Sequence, residues 1–215
     1  MKKLLAMTLA LAALIGLMPA AQAQDAAAGH KKVAMCEGCH AIIGYQASFP
    51  EIHRVPMIAG QNAKYIVAAL TAYKKGDRKH PTMKAIAASL SEQDMADVAA
   101  FYEHQGKGEA APTAPAEPNV EVAALLKKGN CVSCHGDNFS KPIDPSYPKL
   151  GGQHPDYLYV ALKAYQTRDN PQVGRANPVM MGMAAPYSHK ELKALTQYIG
   201  SLQGDLKTVP ESRFR

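Results

Sequence analysis

Apolar positions along this chain fall into short runs with a helical period, and no run shows the sustained alternation of a strand. From Ala63 to Tyr73, the residues Ile66, Leu70 and Tyr73 share one face, and Gly76 stands where a helix C-cap belongs. Tyr157 to Tyr165 repeats the pattern less regularly, with Val160, Leu162 and Tyr165. A later run opens at Ser91-Glu92-Gln93-Asp94, a variant of the capping box, and gathers Met95, Val98 and Phe101 or Tyr102. Its twin opens at Ser188-His189-Lys190-Glu191 and gathers Leu192, Leu195 and Ile199. Shorter helices are expected over Ala26–Met35 and Val120–Lys128. The fold class is all-α.

The runs come in pairs, so the chain reads as a duplicated domain. Val55-Pro56-Met57-Ile58-Ala59-Gly60-Gln61 matches Tyr147-Pro148-Lys149-Leu150-Gly151-Gly152-Gln153. Tyr65, Leu70 and Tyr73 match Tyr157, Leu162 and Tyr165, and Ser91 matches Ser188. The stretch between them, rich in Ala, Pro and Glu without apolar periodicity, reads as a semi-extended linker. Ahead of both halves, Lys2-Lys3, the apolar run Leu4 to Met18 and the small-x-small Ala21-Gln22-Ala23 make a cleavable export signal. That run is short for a membrane span, and no second one follows. The expected organisation is a signal peptide at 1–23, a first domain at 24–105, a linker at 106–119 and a second domain at 120–215. The expected compartment is a bacterial periplasm.

All four cysteines sit in two copies of one motif, Cys36-Glu37-Gly38-Cys39-His40 and Cys131-Val132-Ser133-Cys134-His135. Two thiols two residues apart can add to the two vinyl groups of one haem, and the adjoining histidine then reaches the iron. A structural disulfide has no use for that histidine. A zinc site needs four converging ligands, and each motif offers three at most. The reading is two covalently bound haem c groups, held by Cys36, Cys39, Cys131 and Cys134, with His40 and His135 on the irons. Each half has only roughly eighty to ninety-five residues and no tryptophan, so a buried haem would supply much of its core.

The sixth iron position separates electron transfer from oxygen or peroxide chemistry. Met83, in His80-Pro81-Thr82-Met83, stands seven residues before Leu90, and Met180, in Asn177-Pro178-Val179-Met180, seven before Tyr187. This shared register selects Met83 and Met180, both expected in a turn ahead of a helix. Met181 and Met183 are rivals in the second half. His80 is the rival in the first, although Asn177 holds its place in the other copy. Met35 and Met95 are expected in the core, Met57 against a haem edge, and His30, His53, His104, His154 and His189 at the surface or in loops. Pro56 and Pro148 are candidates to accept the other ring N–H of the iron-bound histidines through their carbonyls.

On these residues the chain resembles the dihaem cytochrome c4 family across essentially its whole length after the signal. The resemblance rests on both Cys-x-x-Cys-His motifs, both Pro-x-x-x-Gly-Gln segments, the methionine spacing and the segment Tyr65 to Arg78. It implies two class I cytochrome c domains about a pseudo-twofold axis, His/Met ligation of both irons, and electron transfer between respiratory donors and an acceptor such as a terminal oxidase. The gap from His40 to Pro56 is three residues longer than that from His135 to Pro148, and the extra loop is expected to cover one haem edge.

The formal charge of +6 falls to +4 without Lys2 and Lys3, and haem propionates would offset most of that. Lys74-Lys75 and Asp77-Arg78-Lys79 are read as solvated surface, too sparse for a nucleic-acid stripe. With no convincing acid, base or nucleophile constellation, the chain is expected to be an electron carrier and not an enzyme. Its partners are redox proteins, namely a respiratory donor complex and a terminal oxidase or dehydrogenase. A second reading makes it the electron-accepting subunit of a periplasmic dehydrogenase, such as a flavoprotein that oxidises sulfide. No integral span is expected after the signal, which leaves room for peripheral membrane association. The duplication further predicts docked halves whose haems meet through propionate-centred hydrogen bonds, with Tyr73 and Tyr165 either contributing or packing in the helix core.

Overall fold

The computed structural model describes residues 24–105 and 117–211. The expected signal peptide and residues 106–116 of the expected linker lie outside the described residues. In the first half the helices are α1 (Ala26–His30), α2 (Ala34–His40), α3 (Ala63–Lys75), α4 (Pro81–Ala88) and α5 (Glu92–Gln105). In the second they are α6 (Val120–Gly129), α7 (Val132–His135), α8 (Pro155–Gln166), α9 (Pro178–Ala184) and α10 (His189–Ser201). Four two-residue strands join them: β1 (Gln46–Ala47), β2 (His53–Arg54), β3 (Arg78–Lys79) and β4 (Gly174–Arg175). The all-α expectation holds.

Local chemistry sets the helix ends. Gly76 closes α3 at φ 87°, a left-handed conformation that costs a residue without Cβ nothing. Ser188 and Glu191 form a complete capping box at α10. At α5 the shorter Asp94 serves the same purpose: its carboxylate accepts from Ser91 N at 3.0 Å, and Ser91 Oγ accepts from Asp94 N at 3.1 Å. Two expectations are corrected. The chain turns at Lys31–Val33, so the expected single helix over Ala26–Met35 is two, and each Cys motif overlaps a short helix. Met83 and Met180 are the third residues of α4 and α9, because Pro81 and Pro178 each occupy the first helical position, where a missing N–H is harmless.

The first half has one contiguous core. It joins Val33, Ile66, Leu70 and Tyr73 to Leu90, Met95, Val98 and Tyr102, with Cys36 and Met83 packed on its edge. Where α1 crosses α5 the backbones nearly touch, and a Cβ on Gly29 would stand 2.1 Å from the Asp97 carbonyl oxygen. The second half has two clusters, one around Leu125, Tyr187, Leu192 and Leu195, the other around Phe139, Leu158, Ile199 and Leu202. Met95 is buried as expected, but Met35 is 48% exposed and outside the core.

The halves dock about a local twofold. Strand β3 pairs antiparallel with β4, setting Arg78 opposite Arg175, and both arginines stand five residues before their half's methionine. The chain also returns after α10, where Lys207 N donates to Ala59 O at 3.1 Å and Val209 packs on the first core. The longer first-half loop, folded as the β1–β2 hairpin, reaches the other half. Arg54 Nε lies 3.0 Å from the Asp156 carboxylate, and Lys163 Nζ lies 2.7 Å from Glu51. His53, expected at the surface or in a loop, opens β2 and is buried, with its Nδ1 donating to Glu51 O at 2.8 Å.

Candidate functional site

The same local device is built twice. Helix α2 carries Cys36, Cys39 and His40, and Cys131 followed by α7 carries the second set. The four cysteines are partly buried and unpaired with one another. His40 Nδ1 donates to Pro56 O at 2.8 Å and His135 Nδ1 to Pro148 O at 3.1 Å. Because a carbonyl only accepts, Nδ1 carries the proton and Nε2 keeps its lone pair. Burial holds both imidazoles below the usual histidine range, so they are neutral at neutral pH and suited to a metal. Burial likewise pushes the Cys36 thiol up to about 11 and raises Cys131. Both thiols are therefore protonated at neutral pH.

The methionine helices also match. His80 Nδ1 accepts from Met83 N at 3.4 Å, and Asn177 Oδ1 accepts from Met180 N at 3.0 Å. His80 and Asn177 are therefore equivalent N-caps of α4 and α9, which gives the rival histidine a helix-capping role. In the second half, Met181 Sδ accepts from Arg168 Nη1 at 3.8 Å and Met183 is 44% exposed, whereas Met180 has neither feature. Met57, partly buried, has its N–H and carbonyl bonded to Gln153 across the domain boundary.

Between the halves lies a cluster around Arg78, which was expected at the solvated surface. Arg78 is buried, and its guanidinium donates to Tyr65 OH at 3.1 Å and to Tyr157 OH at 2.7 Å. Arg175 Nη2 donates to Tyr157 OH at 3.2 Å. Burial would raise the Tyr157 phenol, but the two guanidiniums outweigh it and pull the group down to about 8. Tyr73 and Tyr165 lie beneath the arginines, 4.6 Å and 5.4 Å from ring centroid to guanidinium carbon. Among the described residues neither guanidinium pairs with a carboxylate, and Arg78 Nε is buried without a hydrogen-bond partner. Two adjoining cations of this kind call for anionic acceptors. Haem propionates have that chemistry, so the donor set fits haem. The signal for these arginines was present in the sequence, as Arg-x-x-x-x-Met in both copies, but Arg78 stands in a short basic cluster that reads as solvated surface until its burial is known.

Paired Cys-x-x-Cys-His helices with neutral, carbonyl-held histidines, in two helical domains, define a c-type cytochrome with two class I domains. A cytochrome c family model matches residues 120–203. Cytochrome c4 of Pseudomonas aeruginosa is 31% identical over 94% of this chain and 100% of its own length. The crystal structure of reduced recombinant cytochrome c4 from Pseudomonas stutzeri superposes with a TM-score of 0.60 and 29% identity, covering 84% of this chain and all of that one. A thiosulfate dehydrogenase electron acceptor of Stutzerimonas stutzeri is 30% identical over 79% of this chain and 78% of its own. The chain belongs to the cytochrome c4 family. It is a dihaem electron-transfer cytochrome with two covalently bound haem c groups, and not an enzyme. No helix among the described residues is long and apolar enough to cross a membrane.

Proposed function

We propose that Cys36 and Cys39 would hold the first haem, with His40 and Met83 as the residues that would bind its iron. Cys131 and Cys134 would hold the second, with His135 and Met180. The observation that carries this reading is the repetition of one set in one register, two thiols, a carbonyl-held neutral histidine and a capped methionine. When bound, haem supplies a one-electron couple, and methionine ligation favours the ferrous state. The chain's part is to keep each histidine in one tautomer, present a thioether from a capped helix, and surround the anionic edges with Arg78, Arg175 and the interface tyrosines. The domains are taken as 24–105 and 120–215, joined by 106–119 and exported to the periplasm by 1–23.

Electrons are passed between a respiratory donor and a terminal acceptor such as an oxidase, crossing the docked interface on the way. The likeness to a thiosulfate dehydrogenase electron acceptor favours a second reading, acceptance of electrons from a periplasmic dehydrogenase. Redox titration with visible spectra tests the first proposal, with two low-spin haems and the methionine-to-iron charge-transfer band expected. Rapid mixing then tests the docked pair. An electron delivered to one haem should redistribute at a rate independent of protein concentration, and a rate that scaled with concentration would refute it. Reduction by a purified dehydrogenase at rates exceeding those with a respiratory donor would select the second reading.

A further inference from the structure

The two Pro-x-x-x-Gly-Gln segments carry an exchange of hydrogen bonds between the halves. Gln61 and Gln153 are each 3% exposed, and each follows a glycine with positive φ, Gly60 at 82° and Gly152 at 76°. Gln153 Oε1 accepts from Met57 N at 3.0 Å, and its Nε2 donates to Met57 O at 2.8 Å. Reciprocally, Gln61 Oε1 accepts from Lys149 N at 2.9 Å and its Nε2 donates to Lys149 O at 3.0 Å. Each amide oxygen also accepts from the N–H of the next residue in its own chain segment, Asn62 or His154, at 3.0 Å, which fixes the side chain's rotation.

The residues contacted matter more than the number of bonds. Met57 N–H belongs to the same peptide unit as Pro56 C=O, the acceptor of His40 Nδ1–H. Lys149 N–H belongs to the same unit as Pro148 C=O, the acceptor of His135 Nδ1–H. We infer that Gln153 and Gln61 are crossed positioning residues, each polarising the peptide that holds the iron-bound histidine of the opposite half. The inference rests on the two-haem reading above. An acceptor on the N–H draws electron density toward the carbonyl oxygen of that unit, and chained hydrogen bonds strengthen one another. The histidine then gains imidazolate character and a greater preference for the ferric state. Docking of the halves thereby sets both potentials.

The test is a redox titration of the two-haem protein, with each haem followed by its own paramagnetically shifted methyl resonances. Gln153→Leu should raise the potential of the first-half haem, with about a threefold change in the reduction equilibrium if one charge-assisted bond weakens by a fifth. That is about 28 mV at 59 mV per tenfold for one electron. The second-half haem should move by less than half as much, and Gln61→Leu should reverse the assignment. Gln153→Glu, which keeps an oxygen for Met57 N–H, should leave the first-half potential at or below the unmodified value. Shifts confined to the substituted residue's own half, or equal in both, would overturn the inference. If a leucine variant does not assemble, hydrogen exchange in the unmodified protein decides. Met57 and Lys149 amides should exchange together and only on domain separation, and rapid exchange of either would refute the relay. Two haems counted in the unmodified protein without the crossed pattern would defeat this inference alone, whereas a missing haem would defeat the two-haem reading itself.

Discussion

Four residues after each iron-binding histidine candidate the two halves diverge, Gly44 in one and Phe139 in the other. Both backbones are left-handed there, at φ 72° and 57°. Glycine adopts this conformation freely, whereas a phenylalanine there carries a cost of roughly 1–2 kcal/mol. The second half offsets it by burying Phe139 to 1% exposure among Leu158, Ile199 and Leu202. With no side chain to bury at Gly44, the first-half loop runs on into the β1–β2 hairpin and grips α8 of its neighbour through Arg54 and Glu51. The left-handed residue at this offset is a core element in one half and leads into a docking arm in the other. A shared φ does not fix what the side chain does.

The halves also fasten their terminal helices differently. In the first, Asp97 is buried and accepts from Lys32 Nζ at 2.8 Å, Gln93 Nε2 at 2.7 Å and Asp25 N at 3.1 Å. In the second, Tyr187 OH donates to Leu125 O at 2.9 Å, and Lys128 lies above the Tyr187 ring. A buried carboxylate network depends on pH, while a buried tyrosine with one carbonyl partner does not in the acid range.

The largest effects should come from the attachment sites. Replacing Cys36 and Cys39 by alanine should remove one haem, halving the haem count per chain by mass spectrometry while the second half keeps its own. Replacing Cys131 and Cys134 should do the mirror image. Next in size, Met83→Ala and Met180→Ala should each lower one potential and open one iron to carbon monoxide. Met181→Ala and Met183→Ala should do neither, and His80→Asn, which restores the cap used in the other half, should leave both spectra unchanged. Carbon monoxide binding in the Met181 variant would move the second-half ligand by one residue.

Phe139→Ala should destabilise the second half by about 3–5 kcal/mol, since a buried aromatic is lost while the strained φ remains. Gly44→Ala should cost the first half only about 1–2 kcal/mol. Hydrogen exchange resolved by half would measure both, and equal costs would erase the distinction drawn between these turns. Acid should separate the halves as well. The Lys32 contact holds Asp97 below the usual carboxylate range, so its stabilisation is complete above the unfolded value of about 3.9 and fades as pH falls through and below it. Asp97→Asn should reduce this acid limb in the first half without abolishing it, because Asp94 shares the Lys32 contact and is also held low, as read by circular dichroism and exchange. The smallest effect is expected from Arg54→Ala. Both partners of that ion pair are about a third exposed, so the docked state should lose at most about 1 kcal/mol, and less at high salt. A larger loss of concentration-independent electron redistribution would give the hairpin a greater share in docking.

Much of this protein was legible in order of sequence. Local signals needed no partner: helical period, Gly76, the serine-led caps and the two haem-binding motifs act within a few residues. Repetition added the register on which Met83 and Met180 are proposed as the iron ligands. The chain could not reveal burial. Arg78 reads as one of a basic cluster, and only the antiparallel pairing of β3 with β4 turns it inward beside Arg175, where water is excluded and an anion is needed. Gln61 and Gln153 were visible as repeated residues, but their partners are 88 and 96 positions away. Tertiary structure alone decided what they hold, because a hydrogen bond acts over about 3 Å of space whatever the separation along the chain.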